Sequence, residues 1–370
     1  MADDLRVEGS ATVYRLYDVG YAIALDRAAA ALGTATRGRA RPERLEARAL
    51  QIRNPPLLVS FGERQVAVGD TRSAAFTALL FDFGVCSLRL QFAAPAGIAW
   101  GAFGDFGATA AQSADVGEVF EREIGVLREQ LTGAIERPSL APLMEEFTVF
   151  RVDRLAAANG AELPPASQLL TDDHVARVLL GERRHLSAAA RKELVPHRFS
   201  YYDDDLTVIT WENALVVEPK ASDHDVEFVL EFANAQFLEL RVYDGQLDAE
   251  LPALYDRIEA ARKRWLPLGS GRFRRVLSDL QARVADITET VEGVDNALKV
   301  VDDVYLARIY SAALEQFRET AWRRGIERKL GILRDAYAML NGEAQVARAE
   351  ILEFAIVVLI VVELALALVR

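Results

Sequence analysis

The stretch TALLFDFGVCSLRLQF, residues 77–92, decides the fold class of the first half of the chain. Two apolar segments rich in Leu, Val and Phe flank a short turn that contains Asp82 and Gly84. Short apolar runs that are separated by a turn containing glycine are typical of a β-hairpin. The stretch therefore predicts two paired strands.

A second stretch, LTVITWENALVVE at residues 206–218, has the same plan, with Glu212 and Asn213 as its expected turn. Trp211 in this hairpin is expected to anchor a core; the alternative is a surface that stacks a nucleic-acid base. Between the hairpins, apolar periodicity predicts one strand and several helices. The first part of the chain is therefore expected to be an α+β domain over residues 1–220. The likeness of the two hairpins leaves open a construction from two related halves.

Residues 101–107 read GAFGDFG, a stretch dense in glycine and phenylalanine. It lacks the Lys-Ser/Thr pair of a P-loop and does not have the glycine spacing of a dinucleotide-binding turn. A phosphate cradle is the weaker interpretation. The composition favours a mobile loop that carries Phe103 and Phe106.

After Pro219 the pattern becomes helical, with connecting helices expected over residues 221–268. Next comes a strict four-three spacing of apolar residues, which is the pattern of a coiled-coil seam. The spacing predicts a long antiparallel coiled-coil hairpin over residues 269–342, whose second helical arm ends near Asn341 and Gly342. It also predicts self-association through the seam. The seam positions are Phe273, Leu277, Leu280, Val284, Ile287, Val291, Val294 and Leu298.

The last twenty residues read ILEFAIVVLIVVELALALVR, and only Glu353 and Glu363 interrupt the nineteen that precede the final arginine. A helix of that length spans about 28 Å, close to the thickness of a bilayer core. The run predicts a C-terminal transmembrane helix within residues 343–370. The alternative is a buried core or oligomerisation helix. The residues expected to lie in the membrane are Phe354, Ile356, Leu359, Ile360, Glu363 and Leu366.

Glu363 leaves two arrangements open, because a carboxylate in an apolar medium needs water or a partner. In one, the tail is shallow and the carboxylate reaches the interface. In the other, tail helices of several copies form a bundle with Glu363 inward.

Composition excludes some classes of function. The net charge of −12 argues against DNA as a partner. A lone cysteine, Cys86, excludes a disulfide framework and a cysteine-based zinc site. The N-terminal sequence MADDLRVEGS is not a secretory signal, so the expected location is a single-pass membrane protein with its N-terminal domain in the cytoplasm, most simply at a bacterial inner membrane. No cofactor is expected.

Acidic residues and a histidine form the best enzymatic candidates. They would need to converge with the geometry of a metal or nucleotide site. The plain alternative is that Asp172 or Asp173 is a helix N-cap and that the acidic run is a solvated turn before the strand at Leu206. The candidates are Asp172, His174, Asp203, Asp204 and Asp205.

Three segments carry a family resemblance: the Trp211-Glu212-Asn213 turn, the helix FANAQFLELRVYDGQLD at residues 232–248, and a C-terminal block that starts VYLARIYSAALEQF. In this order they resemble the "required for meiotic nuclear division" family of bacteria and mitochondria. The resemblance implies a membrane-anchored homo-oligomer that supports translation of membrane proteins, and it implies no catalytic residue.

Together these observations predict a non-enzymatic, tail-anchored, homo-oligomeric membrane scaffold. Its expected partners are the lipid bilayer, further copies of itself and a ribosome- or membrane-associated component. Two alternatives stay open. One is a metal- or nucleotide-dependent enzyme in the α+β domain, and the other is a soluble oligomer whose core is the tail helix.

Overall fold

The computed structural model describes residues 4–40, 50–52, 54–195, 197–220, 224–263, 278, 298–300 and 305–369. It divides into two compact units. The first contains Met1–Val242 and Gly293–Thr320, and the second contains Tyr243–Glu292 and Ala321–Arg370.

Strands make up most of the first unit. In chain order they are β1 (Leu5–Asp18), β2 (Gly20–Ile23), β3 (Thr36–Arg39), β4 (Leu50–Ile52), β5 (Leu57–Val68), β6 (Asp70–Leu80), β7 (Val85–Ala93), β8 (Ile98–Ala99), β9 (Ile135–Pro138), β10 (Met144–Ala157), β11 (His197–Phe199), β12 (Leu206–Ile209), β13 (Asn213–Val217) and β14 (Leu298–Val300). Ten of them form one sheet in the order β11-β12-β13-β10-β1-β7-β6-β5-β3, with β8 paired to β1. Every pairing in this sheet is antiparallel except that of β10 with β13.

The helices follow the same numbering. They are α1 (Leu25–Leu32), α2 (Trp100–Gln112), α3 (Ala114–Gln130), α4 (Ala166–Leu169), α5 (Asp172–Leu179), α6 (Ala188–Leu194), α7 (Asp225–Lys263), α8 (Tyr305–Gln316) and α9 (Glu319–Val369). Both α7 and α9 begin in the first unit and continue into the second.

Both predicted hairpins are confirmed. β6 and β7 pair antiparallel, with Leu80 opposite Cys86, so the stretch 77–92 forms two strands around a turn. β12 and β13 pair in the same way, with Ile209 opposite Ala214. The second turn lies slightly earlier than predicted, because Asn213 is already the first residue of β13.

The core of the first unit lies on both faces of the sheet, because alternate residues of a strand point to opposite sides. On one face, Val7, Ala11 and Val13 of β1 join a core with helices α1, α2, α3 and α5. On the other face, Tyr14 and Leu16 are buried beneath other residues of the first unit. The sheet is thus a middle layer with buried side chains on both faces.

The GAFGDFG stretch is the start of helix α2, so its prediction as a mobile loop is wrong. Phe103 is fully buried there, and the glycines serve close packing. A Cβ added at Gly104 would lie 2.8 Å from the backbone of Val178, and one at Gly107 would lie 2.2 Å from the ring of Phe150. The glycines therefore let α2 approach its neighbours, and they do not create mobility.

The C-terminal helix is longer than predicted. α9 continues without a break from Glu319 to Val369, so the expected end near Asn341 and Gly342 is wrong. A glycine in a helix interior costs about 1 kcal/mol, which favourable neighbours can offset.

No helix in the described part of the chain is long and apolar enough to cross a membrane. The predictions of a transmembrane tail anchor and of a single-pass membrane location are therefore wrong, and the predicted fold class fails in this last element.

The predicted coiled-coil hairpin falls mostly outside the described residues. Seven seam positions, from Phe273 to Val294, lie there. Leu298, the eighth, lies in strand β14 and pairs with Ile52 of β4. Self-association through this seam stays a prediction.

Candidate functional site

The first turns of α7 form a charged layer against the sheet. Residues 225–240 are all buried, although they include Glu227, Glu231 and Glu239. Burying a carboxylate is costly unless a cation or a hydrogen-bond donor meets it. Two arginines of the sheet, Arg89 and Arg151, meet the first two of these glutamates.

Arg89 of β7 meets Glu231 through two contacts. Its Nε donates to Oε1 of Glu231 at 2.8 Å, and its Nη2 contacts Oε2. The guanidinium also lies 5.8 Å from the centroid of the Tyr14 ring. Burial raises the pKa of the Glu231 carboxyl, and Arg89 opposes that rise. Burial likewise raises the pKa of the Tyr14 hydroxyl. The pair is a planar two-bond contact that is shielded from water, which is the strongest form of such a bond.

Arg151 of β10 makes a second contact near the start of α7. Its Nη1 donates to Oε1 of Glu227 at 2.6 Å, and its Nε donates to Oδ1 of Asp153 at 2.7 Å. Nδ1 of His224 lies 3.1 Å from the same glutamate oxygen. Burial alone would raise the pKa of Glu227, but His224 and Arg151 outweigh it and lower that pKa. The cluster ties the beginning of α7 to the sheet.

The gap between β1, β10 and α7 is too narrow to hold a water molecule. Its lining residues are Tyr14, Leu16, Phe147, Val149, Glu231 and Asn234. Further polar contacts hold the same layer, among them Arg241 with Glu145 and Tyr310 with Gln236. The charges of this layer form pairs that hold α7 to the sheet.

The enzymatic candidates have separate local roles. His174 accepts a hydrogen bond at Nδ1 from the backbone N–H of Thr171 at 3.2 Å, which caps α5. Asp205 accepts from the backbone N–H of Tyr201 at 2.7 Å. Asp172 lies 3.7 Å from Arg198. In the part of the chain that the structure describes, no three His, Cys, Asp or Glu side chains gather closely enough to hold a metal ion.

Trp211 acts as an anchor. Its ring meets Phe237 and Phe317 edge to face, at centroid distances of 5.6 and 6.2 Å. The side chain is still 41% exposed, so one face covers the aromatic cluster and the other meets solvent.

The largest exposed apolar surface in the described residues belongs to the apolar end of α9, which comprises residues 352–367. Eleven large apolar side chains are exposed there, and all six residues that were predicted to lie in the membrane belong to it. Sequence reasoning found this run but assigned the wrong surroundings to it. The eleven are Leu352, Phe354, Ile356, Val357, Val358, Leu359, Ile360, Val361, Val362, Leu364 and Leu366.

The comparisons with known proteins concern the first unit. Residues 8–224 match the family described as "Uncharacterized protein MJ0711, N-terminal domain". The protein of that name from Methanocaldococcus jannaschii is 25% identical over 178 residues, which is 48% of this chain and 53% of that protein. The chain thus matches about half the length of this curated relative. No solved structure matches the chain.

These findings overturn the resemblance to the "required for meiotic nuclear division" family, because neither the family match nor the relative points to that family. The segments on which the resemblance was based are short, and their sequences fit the local structure in which they lie. Trp211-Glu212 belongs to a hairpin turn, and residues 232–248 lie in the partly buried helix α7. The expected role in translation was implied by that resemblance alone, and it loses this support.

Proposed function

This chain belongs to the family of the MJ0711 N-terminal domain, and we propose that it is a non-enzymatic scaffold that assembles with further copies of itself. The observation that carries the proposal is the apolar end of α9.

The size of this surface supports an interface. Its eleven side chains each expose from 44% to 71% of their area. Together they present on the order of 1,200 Å² of apolar surface, whereas the largest patch on a typical monomer is about 300–600 Å². A standard protein interface buries roughly 800 Å² on each partner. The apolar end of α9 is therefore large enough to hold a stable assembly.

A second copy is the partner that fits this surface best. The exposed side chains surround the helix, and only Glu353 and Glu363 bring charge to it. A helix that is apolar all round needs apolar neighbours on several sides. Identical helices provide these, since each copy brings the surface that the others must bury.

The first unit would then be the part that the assembly displays. Its charged layer holds the start of α7 to the sheet, which supports a rigid platform. Several platforms in one assembly would raise the effective concentration of any site on them, so that weak sites act together.

The test is the mass of the full chain in solution by analytical ultracentrifugation. We expect a defined oligomer, and we expect the double substitution Val358→Asp with Leu359→Asp to give a monomer, because buried unpaired carboxylates destabilise an interface. Met339→Asp is the matched control, since Met339 is an exposed apolar residue of the same helix outside the apolar end. A wild-type chain that stays monomeric at high concentration would overturn the proposal.

A further inference from the structure

We propose that the copies pair side by side, in parallel and in register, through one seam of α9 formed by Phe354, Val358, Val361 and Ala365. This inference rests on the proposed function, because it names the face and direction of the same contact. It assigns a specific role to four residues of the apolar end of α9.

The seam continues the buried stripe of the same helix. Near the start of α9, Ile326, Leu330 and Leu333 are 1%, 5% and 1% exposed and are spaced by four and three residues. Leu333 and Phe354 are 21 residues apart, which is three heptads, so Phe354 repeats the same position of the heptad. From there the seam again steps by four, three and four residues.

The sequence fills every intermediate position of this repeat with an apolar residue. Between Leu333 and Phe354 these positions hold Tyr337, Leu340, Ala344, Ala347 and Ile351. A strict seven-residue repeat of this length is the sequence pattern of a supercoiled helix pair. One heptad phase thus joins the buried stripe to the exposed seam.

The described part of helix α7 runs beside the first part of α9. Lys329 Nζ lies 2.7 Å from Asp244 and 2.5 Å from Asp248, and a Cβ at Gly325 would lie 3.5 Å from Asp244. Contacts that advance by one turn on both helices mean that the helices run in the same direction. At equal rise, Lys263, the last described residue of α7, comes level with about residue 344 of α9. Beyond that level, the seam residues from Phe354 to Ala365 are exposed.

The charges and side-chain shapes fit a parallel pair. In the phase of this heptad, Glu353 and Glu363 occupy positions c and f, which point away from the partner helix. Val358 occupies position a, and so does Ile351 in the sequence. β-branched residues at a suit the packing of a parallel two-stranded coiled coil. The residues that flank the seam are also apolar, so each helix can contact more than one neighbouring copy. The seam therefore defines the contact between neighbouring copies, but it does not define the number of copies.

The experiment is disulfide cross-linking of the full chain under mild oxidation. Cys86 is the sole native cysteine and is buried, so it does not compete. Phe354→Cys and Val358→Cys place thiols at d and a, and Ile356→Cys and Ile360→Cys are controls at f and c. Two cysteines can bridge only when their Cα atoms lie within about 7 Å, so we expect at least about tenfold more covalent dimer from each seam variant than from either control.

The outcomes separate the two proposals. Cross-links at both 354 and 358 require parallel, in-register copies, because an antiparallel pair brings at most one position against itself. A cross-link at only one of them, or equal linking at all four positions in a protein that is still oligomeric, would overturn the seam and leave the scaffold standing. A monomeric wild-type chain would overturn the scaffold itself.

Discussion

At the scale of single residues, buried charged groups affect stability in ways that the sequence pattern does not show. Asp18 at the end of β1 is 6% exposed, and its Oδ1 accepts a hydrogen bond from the N–H of Gly20 at 3.0 Å. Burial raises the pKa of this carboxyl from 3.8 to about 6. The folded state therefore binds the proton more tightly than the unfolded state does.

The raised pKa predicts how stability changes with pH. The contribution of Asp18 is fully present below about pH 4 and is lost as the pH rises through about 6. Asp18→Asn should therefore raise the free energy of unfolding at pH 7.5 by about 2 kcal/mol and change it little at pH 4. Urea unfolding at both pH values measures this. Asp26→Asn, at an exposed carboxylate, is the control and should shift stability by less than about 0.5 kcal/mol. An equal gain at both pH values would contradict the prediction.

The Arg89–Glu231 pair predicts a strongly non-additive result. Arg89→Met alone leaves a carboxylate buried without its cation and should cost about 3–5 kcal/mol, whereas adding Glu231→Met should recover most of that loss. A double-mutant cycle from urea unfolding measures the coupling. Arg154→Met is the control, because that side chain is 71% exposed and lies 3.9 Å from Glu8. Additive single effects would show that the pair does not hold α7.

At the scale of elements, packing explains residues that look out of place. β5 contains Gly62 at a φ of +76°, where the pairing with β6 shifts register. The strand continues through a bulge at this point, because one extra residue is accommodated without ending the ladder. The glycines of α2 are a second case, since they serve contact with α5 and β10.

The contact of α2 with α5 predicts opposite effects for two glycine substitutions. Gly104→Ala should destabilise the protein by about 1–2 kcal/mol, because the backbone of Val178 cannot move aside as a side-chain end could. Gly125→Ala in α3, where no atom lies within 4 Å of the added Cβ, should stabilise it by about 0.5–1 kcal/mol. Thermal unfolding of the two variants compares them directly. A stabilising Gly104→Ala would mean that the close approach carries no constraint.

At the scale of the whole molecule, assembly should be visible in stability. If copies bury the apolar end of α9, mass action ties the folded, assembled state to protein concentration. We expect the melting temperature to rise with concentration, and we expect the Val358→Asp and Leu359→Asp double variant to lose that dependence. Calorimetry over a hundredfold range of concentration tests this. A dependence that persists in the double variant would place the contact elsewhere.

The sequence by itself determined the elements whose signal is local. In residues 77–92 and 206–218, the strands and the turn between them can be recognised from a few neighbouring positions. The apolar period of α3 and of α9 likewise lies within a single helix. Local spacing also identified the apolar run of residues 351–369 as exceptional.

Only the tertiary structure decided what those elements meet. Arg89 and Glu231 are 142 residues apart, and no local pattern marks them as partners. The glycines of α2 resembled a loop because the residues that they pack against, Val178 and Phe150, are far along the chain. The same limit applies to α9. Its hydrophobicity shows that the helix must be covered, but it does not show which surface covers it. Side-chain period is a property of neighbouring residues, whereas pairing, burial and the choice of partner depend on surfaces that only the folded chain brings together.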